Sequence, residues 1–264
     1  DSSAKITGPR LLHSSQWGII DPLDTPDGGN IGLHKHMSIM AKITKKCSAK
    51  PLINWLINNT DMLILNECNF DYLSFMTKIF VNGAWIGIVK DPININRKLL
   101  DYRRNGLISI YTSISWNIDD NSIFLYTDAG RLCYPIYYVD HNTKKLILDN
   151  KEIIEKIIKN DFNWDNLISG FNKKNGDFNV KQCHIYDKIN DLYSTSTIDS
   201  LREKQAIIEY LDTSEKETAL ICIELENLEN KPYTHLEIDS SILLGVMGNQ
   251  IILPENNQLP RNLF

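Results

Sequence analysis

Glycine and proline are dense in the first 44 residues, and this density restricts the fold more than any other feature of the sequence. They include Pro9, Gly18, Pro22, Pro26, Gly28, Gly29 and Gly32. Glycine allows positive φ angles and proline lacks a backbone donor, so this spacing predicts tight, specified turns in place of regular helix. Apolar residues such as Leu11, Trp17 and Ile19 lie among them. We therefore predict a packed segment and not a linker.

The rest of the sequence alternates between short helical and strand-like patterns. Apolar spacing predicts helices over 50–77, 94–105 and 150–160, the last capped by Asp149 or Asn150. Residues 170–196 are polar and predict a loop or insertion. Strand-like patterns cover 78–92 (a hairpin turning at Asn82-Gly83), 107–114, 122–127, 131–139, 206–211 and 218–224. Because no βαβ rhythm is present, the sequence predicts an α+β fold of several small mixed modules, with no doubly wound sheet.

Composition excludes several classes of protein. The chain of 264 residues is 42% hydrophobic, enough to bury a core, and its longest apolar stretches are too short to span a membrane. Its net charge is −5, unlike a free nucleic-acid binder, although residues 1–50 carry six Lys and one Arg against four Asp. The five cysteines are widely spaced, which argues against a zinc knuckle and a disulfide framework and favours a reducing, intracellular compartment.

Two motifs near the start of the chain invite chemical interpretations. The stretch 24–33 lacks the ligand spacing of a calcium loop and the signatures of P-loops and dinucleotide loops, so by itself it predicts a structural turn. His13 lies near Ser14 and Asp21, which suggests a hydrolytic triad. That hypothesis is weak because no Gly-x-Ser-x-Gly elbow is present, and a lone His beside a Trp is more often a structural hydrogen-bonder.

Two further motifs lie later in the chain. Residues 128–130 predict a hairpin turn whose Gly130 permits positive φ. Residues 257–262 form an amide-rich segment in which Arg261 follows a proline. A guanidinium there could form a bidentate contact with a phosphate, or it could be an ordinary solvated side chain.

Taken together and in order, the motifs resemble one family. The chain resembles the second-largest (β-type) subunit of multisubunit DNA-directed RNA polymerases, of the eukaryotic, archaeal and large-DNA-virus type. The similarity runs from about residue 8 to the end and is weakest over 141–205. It is carried by Pro9-Arg10-Leu11-Leu12-His13, Trp17-Gly18, Asp24-Thr25-Pro26-Asp27-Gly28, Gly32-Leu33-His34-Lys35, Phe80-Val81-Asn82-Gly83, Tyr126-Thr127-Asp128-Ala129-Gly130-Arg131, Glu209-Tyr210-Leu211-Asp212 and Asn257-Gln258-Leu259-Pro260-Arg261-Asn262.

The resemblance implies a division into segments and also shows departures from the family. Asp24 and Asp27 stand where Glu is usual, and Phe264 stands where Tyr is frequent. The chain also lacks an initiator Met, and we expect it to be a fragment. The expected segments are 1–48 (C-terminal part of the fork region), 49–77 (helical connector), 78–140 (external 1-like module), 141–232 (external 2-like module with an insertion near 170–196) and 233–264 (start of the hybrid-binding domain).

What the family does implies a function for this chain. Template-directed nucleotidyl transfer in transcription uses Mg²⁺ in the complete enzyme, but we expect no metal ligand and no catalytic residue in this fragment, which should be inactive alone. Arg261 is expected to contact the triphosphate of the incoming NTP, and Asp24 and Asp27 to hold loop geometry through backbone N–H groups and neighbouring Arg side chains. Residues expected near the nucleic acid are Arg10, His13, Asp24, Thr25, Pro26, Asp27, Gly28 and Lys35, with Asn257, Gln258 and Asn262 in the hybrid-domain loop.

The resemblance also implies partners and leaves one alternative open. The expected partners are the largest polymerase subunit, the other subunits, the DNA template, the RNA–DNA hybrid and NTP. No membrane is expected among them, and the sequence does not distinguish nucleus, cytoplasm and viral factory. The alternative is a free-standing protein-interaction module derived from this subunit, which would exist as a natural chain of this length.

Overall fold

A computed structural model describes residues 6–140, 145–146, 148, 151–159, 162–170 and 205–263. Within these residues the strands form two five-stranded mixed sheets. The strands are β1 (Lys42–Ile43), β2 (Leu63–Ile64), β3 (Thr77–Val81), β4 (Ala84–Val89), β5 (Ser113–Asn117), β6 (Ser122–Tyr126), β7 (Leu132–Tyr138), β8 (Ile208–Asp212), β9 (Ile221–Cys222) and β10 (His235–Leu236). The helices are α1 (Lys50–Asn59), α2 (Phe70–Leu73), α3 (Pro92–Arg104), α4 (Lys151–Ile158), α5 (Trp164–Ser169), α6 (Thr213–Lys216) and α7 (Leu259–Leu263). The predicted α+β class is confirmed.

The first sheet has the order β2-β4-β3-β6-β5, with β3 and β6 parallel and its other pairs antiparallel. The predicted hairpin is confirmed, because β3 and β4 are joined by Asn82 and Gly83 with φ angles of 48° and 82°. α1 and α3 cover the sheet, and their apolar side chains pack with β3 and β6 in one buried cluster. This cluster includes Leu52, Trp55 and Leu99, each at most 2% exposed.

The second sheet is built around β7. Strands β1 and β10 pair antiparallel with β7 near its opposite ends, β8 also pairs antiparallel with β7, and β9 pairs parallel with β10. The sheet therefore gathers segments that lie almost 200 residues apart in the sequence. Apolar residues of this sheet belong to three buried clusters. One of them contains Tyr134, Ile242 and Ile19, which lies in the first 44 residues (the turn-rich block).

Three predicted elements need correction. The helix predicted over 50–77 ends at Asn59, because Thr60 is extended and Leu63–Ile64 pairs with β4. The strand predicted over 107–114 begins only at Ser113, because the preceding residues form a turn that places Ile108 in the first core and Ile110 in the second. The strand predicted over 218–224 is reduced to Ile221–Cys222.

The hairpin predicted at 128–130 is also wrong, since β6 and β7 belong to different sheets. Gly130 does have positive φ, at 85°. The segment crosses from one sheet to the other and is held by two residues that lie earlier in the sequence. The N–H of Cys47 donates to the Thr127 carbonyl at 2.8 Å, and the N–H of Thr44 donates to the Arg131 carbonyl at 2.9 Å.

Other expectations fare as follows. The helix predicted over 150–160 is confirmed as α4, although its proposed caps Asp149 and Asn150 lie outside the described residues, as does most of the insertion near 170–196. Within the described ranges, no helix is both long and apolar enough to cross a membrane.

Cys68, Cys133 and Cys222 are free, but Cys47 is disulfide-bonded. A single bond is not a disulfide framework, so the expectation against such a framework is not contradicted.

Candidate functional site

Arg10 closes the loop that follows it in the turn-rich block. Its Nη1 atom donates to the carbonyls of Gly29 and Ile31 at 2.8 and 2.9 Å. Gly32 lies against the Arg10 backbone with φ of 74°, and a Cβ atom there would stand 2.4 Å from the Arg10 carbonyl oxygen. Arg10 therefore binds backbone carbonyls through its side chain, and the approach of the loop requires glycine at position 32.

The side chains of Thr25 and Asp27 fix the same loop by hydrogen bonds to its backbone. The Thr25 hydroxyl accepts from the Gly32 N–H at 2.8 Å and donates to the His34 carbonyl at 3.0 Å. Asp27 accepts from the Gly28 N–H at 2.8 Å, as expected for a carboxylate that holds the backbone. Pro26 is half-buried between Thr25 and Asp27.

The other residues predicted for this block are Asp24, Gly28 and Lys35. Asp24 faces a histidine, with Oδ1 3.8 Å from His36 Nε2. Gly28 and Lys35 are exposed. The loop therefore presents Lys35 to solvent, whereas its Thr and Asp27 side chains are used for backbone geometry.

His13, Ser14 and Asp21 do not form a triad. His13 Nδ1 accepts from the Ser15 N–H at 3.2 Å and lies 2.8 Å from the Ser15 hydroxyl. Both oxygens of Asp21 are occupied by backbone N–H groups, of Leu23 at 2.9 Å and of Gly245 at 2.7 Å. The base and the acid therefore point to different partners, and this arrangement lacks the relay that a hydrolase needs.

Asp21 joins the two ends of the described chain. Its bond to Gly245 is buried, and a Cβ atom at Gly245 or Gly248 would stand 2.8 or 2.9 Å from Asp21 Oδ2. Two further bonds support this joint: the Ser38 hydroxyl donates to the Leu243 carbonyl at 3.0 Å and the Ile39 N–H to the Leu244 carbonyl at 2.9 Å. Sequence analysis considered Asp21 only as a member of a triad and did not reveal this role, since the only local signal is a carboxylate among turns.

A cleft with a volume of about 510 Å³ lies beside the joint. One wall comes from the turn-rich block and the other from the C-terminal segment, and most of the lining is apolar. The lining residues are Leu12, His13, Ser14, Gln16, Trp17, Gly18, Ile20, Pro22, Ser240, Ser241, Leu243, Leu244, Gly248, Asn249, Ile251 and Pro254. The structure thus brings the predicted His13 next to the segment that leads into residues 257–262.

The C-terminal loop is held by its amide side chains. Asn262 is buried and its Nδ2 donates to the Pro254 carbonyl at 2.8 Å, while Asn257 Nδ2 donates to the Ile252 carbonyl at 3.3 Å. Gln258 is exposed. Arg261 lies in α7, but its side chain is outside the described part of the structure, as is Phe264. Asn257 and Asn262 therefore shape the loop that carries Arg261.

Behind the cleft, Glu237 ties Trp17 to the second sheet. Its Oε1 accepts from Trp17 Nε1 at 2.8 Å and from the Tyr134 hydroxyl at 3.0 Å. Lys216 donates to the carbonyls of Ser15 and Trp17 at 2.8 and 2.6 Å. Burial raises the pKa of Glu237 and lowers that of Lys216 to about 8. These contacts fix the wall of the cleft onto the sheet.

A buried ionic network connects α3 to the second sheet. Arg103 binds Glu215 through both guanidinium ends and donates to Glu209 at 3.0 Å. Arg104 Nε donates to Glu209 at 3.0 Å, and His235 Nε2 lies 2.8 Å from the same carboxylate. Burial opposes ionisation of Glu209, but Arg104 and Arg103 outweigh it and hold the pKa of Glu209 well below its usual range.

The network continues to the segment between the sheets. Asp212 Oδ2 accepts from Arg131 Nη1 at 2.9 Å, and its Oδ1 accepts from the Ser113 hydroxyl at 2.9 Å. The sequence signal for the network was two adjacent arginines at the end of an apolar-faced helix and a Glu inside a strand-like run. Their pairing could not be read from the sequence, because more than 100 residues separate the partners. Within the described residues, no three His, Cys, Asp or Glu side chains are placed to hold a metal ion.

Three family models match the chain. RNA polymerase Rpb2, domain 3 matches residues 1–43; RNA polymerase Rpb2, domain 4 matches residues 79–140; and RNA polymerase Rpb2, domain 5 matches residues 199–239. The matched ranges together cover more than half of the chain and follow the order of the numbered domains. They leave residues 44–78, 141–198 and 240–264 unmatched.

Curated relatives match the chain along its whole length. DNA-directed RNA polymerase II subunit RPB2 of Encephalitozoon cuniculi is 31% identical over 274 residues, covering 100% of this chain and 20% of that protein. The protein of the same name from Schizosaccharomyces pombe is 29% identical over 98% of this chain and 22% of its own length. DNA-directed RNA polymerase subunit Rpo2 of Saccharolobus shibatae is 29% identical over 97% of this chain and 20% of its own length. The chain thus spans about a fifth of the length of these relatives.

Proposed function

Because the chain belongs to the family of second-largest subunits of multisubunit RNA polymerases, we propose that it forms part of a DNA-directed RNA polymerase and lines its active-centre cleft. The observation that carries this proposal is the similarity to polymerase subunits along the entire chain. The Asp21–Gly245 joint supports it, because the turn-rich block and the C-terminal segment line two walls of the cleft beside that joint.

The role of this part of the enzyme is to position substrates. In the complete polymerase, Mg²⁺ supplies charge stabilisation for the attacking and leaving oxygens of nucleotidyl transfer. We place its ligands outside this chain, and we expect the isolated chain to be inactive. The partners that follow are the largest subunit, the other polymerase subunits, the DNA template, the RNA–DNA hybrid and the incoming NTP.

We assign the predicted residues of the turn-rich block to the nucleic-acid side of the cleft. The loop closed by Arg10, Thr25 and Asp27 is fixed by hydrogen bonds to its own backbone. We assign the exposed Lys35 of this loop to a phosphate, because its positively charged side chain lies in solvent.

Co-purification tests the proposed function directly. The chain is tagged in the cells that express it, and the purified assembly is assayed for RNA synthesis on a DNA template. We expect the largest polymerase subunit to co-purify and the assembly to incorporate NTP in a template-dependent manner. A chain of about this length that purifies without any polymerase subunit would contradict the proposal and would support the free-standing interaction module.

Arg261 is assigned to the triphosphate of the incoming NTP. In the complete enzyme, the Arg261→Ala substitution should raise the KM for NTP and slow single-nucleotide addition. A lost hydrogen bond to a charged group is worth about 1.5–3 kcal/mol, or roughly 10- to 100-fold. Arg261→Lys keeps the charge but loses the bidentate contact, so its KM should lie between those of the parent and Arg261→Ala. An unchanged KM and addition rate in Arg261→Ala would refute this role.

A further inference from the structure

Leu253 has a backbone conformation that is unusual for its residue type. Its φ and ψ angles are 49° and 61°, in the left-handed region. Among the described residues, the other positions with positive φ that are not glycine are Asn82 and Asn121. Asparagine is enriched in this region, whereas a branched apolar residue is strained there. The next residue, Pro254, favours an extended conformation at Leu253, so the left-handed angles are disfavoured for a second reason.

Burial of the leucine side chain does not compensate for this strain. Leu253 is 58% exposed, and Ile252 before it is 83% exposed. An apolar side chain that stays largely in water gains little of the free energy that burial would supply. Strained conformations persist where the surrounding contacts hold them, and they are frequent at functional sites. The contacts that hold Leu253 therefore indicate what its conformation is for.

Two backbone hydrogen bonds form a turn that begins at Leu253. The N–H of Asn256 donates to the Leu253 carbonyl at 3.0 Å, and the N–H of Asn257 donates to the Pro254 carbonyl at 3.3 Å. Residues 253–257 are called the Leu253 turn below. Because the first bond uses the carbonyl of Leu253 itself, a change in the angles of that residue would re-aim the acceptor and break the turn.

The Leu253 turn joins the cleft to α7. Pro254 is one of the residues that line the cleft. Its carbonyl also accepts from Nδ2 of Asn262 at 2.8 Å, and Asn262 is a buried residue of α7. The neighbouring residue in α7 is Arg261. The position of α7 relative to the cleft wall is thus fixed through the carbonyl that directly follows the strained residue.

We propose that Leu253 is a positioning residue, whose left-handed conformation holds α7, and Arg261 with it, in the orientation that binds NTP. The proposal rests on the function proposed above for Arg261. If only a fraction of molecules has the turn formed, the apparent KM for NTP rises by the inverse of that fraction. Saturating NTP restores the competent orientation, so kcat should stay the same. General unfolding would instead lower kcat, because it removes active enzyme.

Leu253→Ile tests this role in the complete enzyme. Isoleucine has the same atoms but is branched at Cβ, which disfavours positive φ more strongly. Single-nucleotide addition at a series of NTP concentrations should show a KM raised at least about threefold with unchanged kcat. Leu253→Asn should keep the KM within about twofold of the parent, because asparagine tolerates these angles. Leu225→Ile is the matched control, since Leu225 is 63% exposed and lacks positive φ, and it should change neither parameter.

Hydrogen exchange of a peptide covering 250–263 examines the Leu253 turn without requiring RNA synthesis. In the purified assembly, exchange should be faster in Leu253→Ile than in the parent and no faster in Leu253→Asn. Parental exchange in Leu253→Ile, or faster exchange in Leu253→Asn, would overturn the proposal. A parental KM in Leu253→Ile with a raised KM in Arg261→Ala would overturn the role of Leu253 alone. A parental KM in both variants would overturn the assignment of Arg261 as well.

Discussion

At the scale of single residues, the turn-rich block depends on close backbone approaches that glycine alone permits. Gly32 combines positive φ with a Cβ position only 2.4 Å from the Arg10 carbonyl oxygen. Arg10 in turn closes the loop through two carbonyls. A side chain at position 32 would therefore push apart the two segments that the Arg10 guanidinium joins, in addition to straining its own backbone.

Gly32→Ala should accordingly destabilise the protein by more than about 1 kcal/mol. Urea unfolding of the purified protein measures the change. Gly29→Ala is the matched control, because Gly29 lies three residues away, lacks positive φ and has open space where a Cβ would stand. If both variants unfold at the same urea concentration, the close approach at Gly32 contributes nothing to stability.

The sequence predicts residues of this kind only when their constraint is local. The turn chemistry of Gly28, Gly32 and Asp27 follows from neighbouring residues, and the structure places all three in tight turns. Asp21 is different, because its partner Gly245 lies 224 positions away. A carboxylate that binds a distant backbone N–H has no sequence signature.

At the scale of elements, α3 has two faces with different tasks. Ile95, Leu99 and Tyr102 pack into the first core, whereas Arg103 in the last turn of α3 joins the buried ionic network with the second sheet. The apolar face alone was enough to predict the helix. The buried ionic network needs the carboxylates of Glu209 and Asp212 from β8 and of Glu215 from α6. The sequence shows that these residues exist but not that they meet the arginines.

Removal of Arg103 should be strongly destabilising. Arg103→Ala leaves Glu215 and part of Glu209 buried without their counter-ion, and breaking one side of a buried ion pair typically costs about 3–5 kcal/mol. Thermal or urea unfolding of the purified protein measures the loss. Arg97→Ala is the control on the same helix, since Arg97 is exposed and its removal should change stability by less than about 0.5 kcal/mol. Similar losses in the two variants would show that the buried pairs contribute little.

The predicted element boundaries were wrong where one segment contributes side chains to two hydrophobic clusters, as residues 107–114 do. Ile108 and Ile110 are both apolar and alternate with other residues, which is the usual pattern of a strand. In the protein they point into different clusters on either side of the junction between the sheets. A turn at Ser109–Thr112 achieves this, and no single-sheet strand could.

At the scale of the whole molecule, the second sheet holds the chain together. Its central strand β7 pairs with strands from the turn-rich block, from residues 208–212 and from residues 235–236. The sequence predicts small mixed modules but not that one sheet draws strands from most of them. Long-range strand order depends on which edges meet in space, which local patterns do not encode.

The charged layer between the two sheets gives the molecule a specific acid sensitivity. Burial alone would raise the pKa of Glu209, but Arg104, Arg103 and the hydrogen-bonded His235 outweigh burial and hold it well below the usual 4.5. Above pH 4.5 the carboxyl is ionised in both the folded and the unfolded chain, so its full contribution to stability is present. As the pH falls below 4.5, the unfolded chain takes up a proton that native Glu209 does not, and stability is lost.

The free energy of unfolding should therefore decrease as the pH falls below 4.5, with up to about 1.4 kcal/mol per pH unit coming from Glu209. Glu209→Gln should be less stable at neutral pH, because Arg104 loses its counter-charge and Arg103 loses one of its two carboxylate partners, but its stability should depend less steeply on pH in this window. Urea unfolding at a series of pH values measures both slopes, and Glu155→Gln, at an exposed position of α4, should keep the parental slope. Equal slopes in the parent and Glu209→Gln would mean that the acid sensitivity arises elsewhere, and that the layer between the sheets acts through packing and hydrogen bonds instead of through the charge of Glu209.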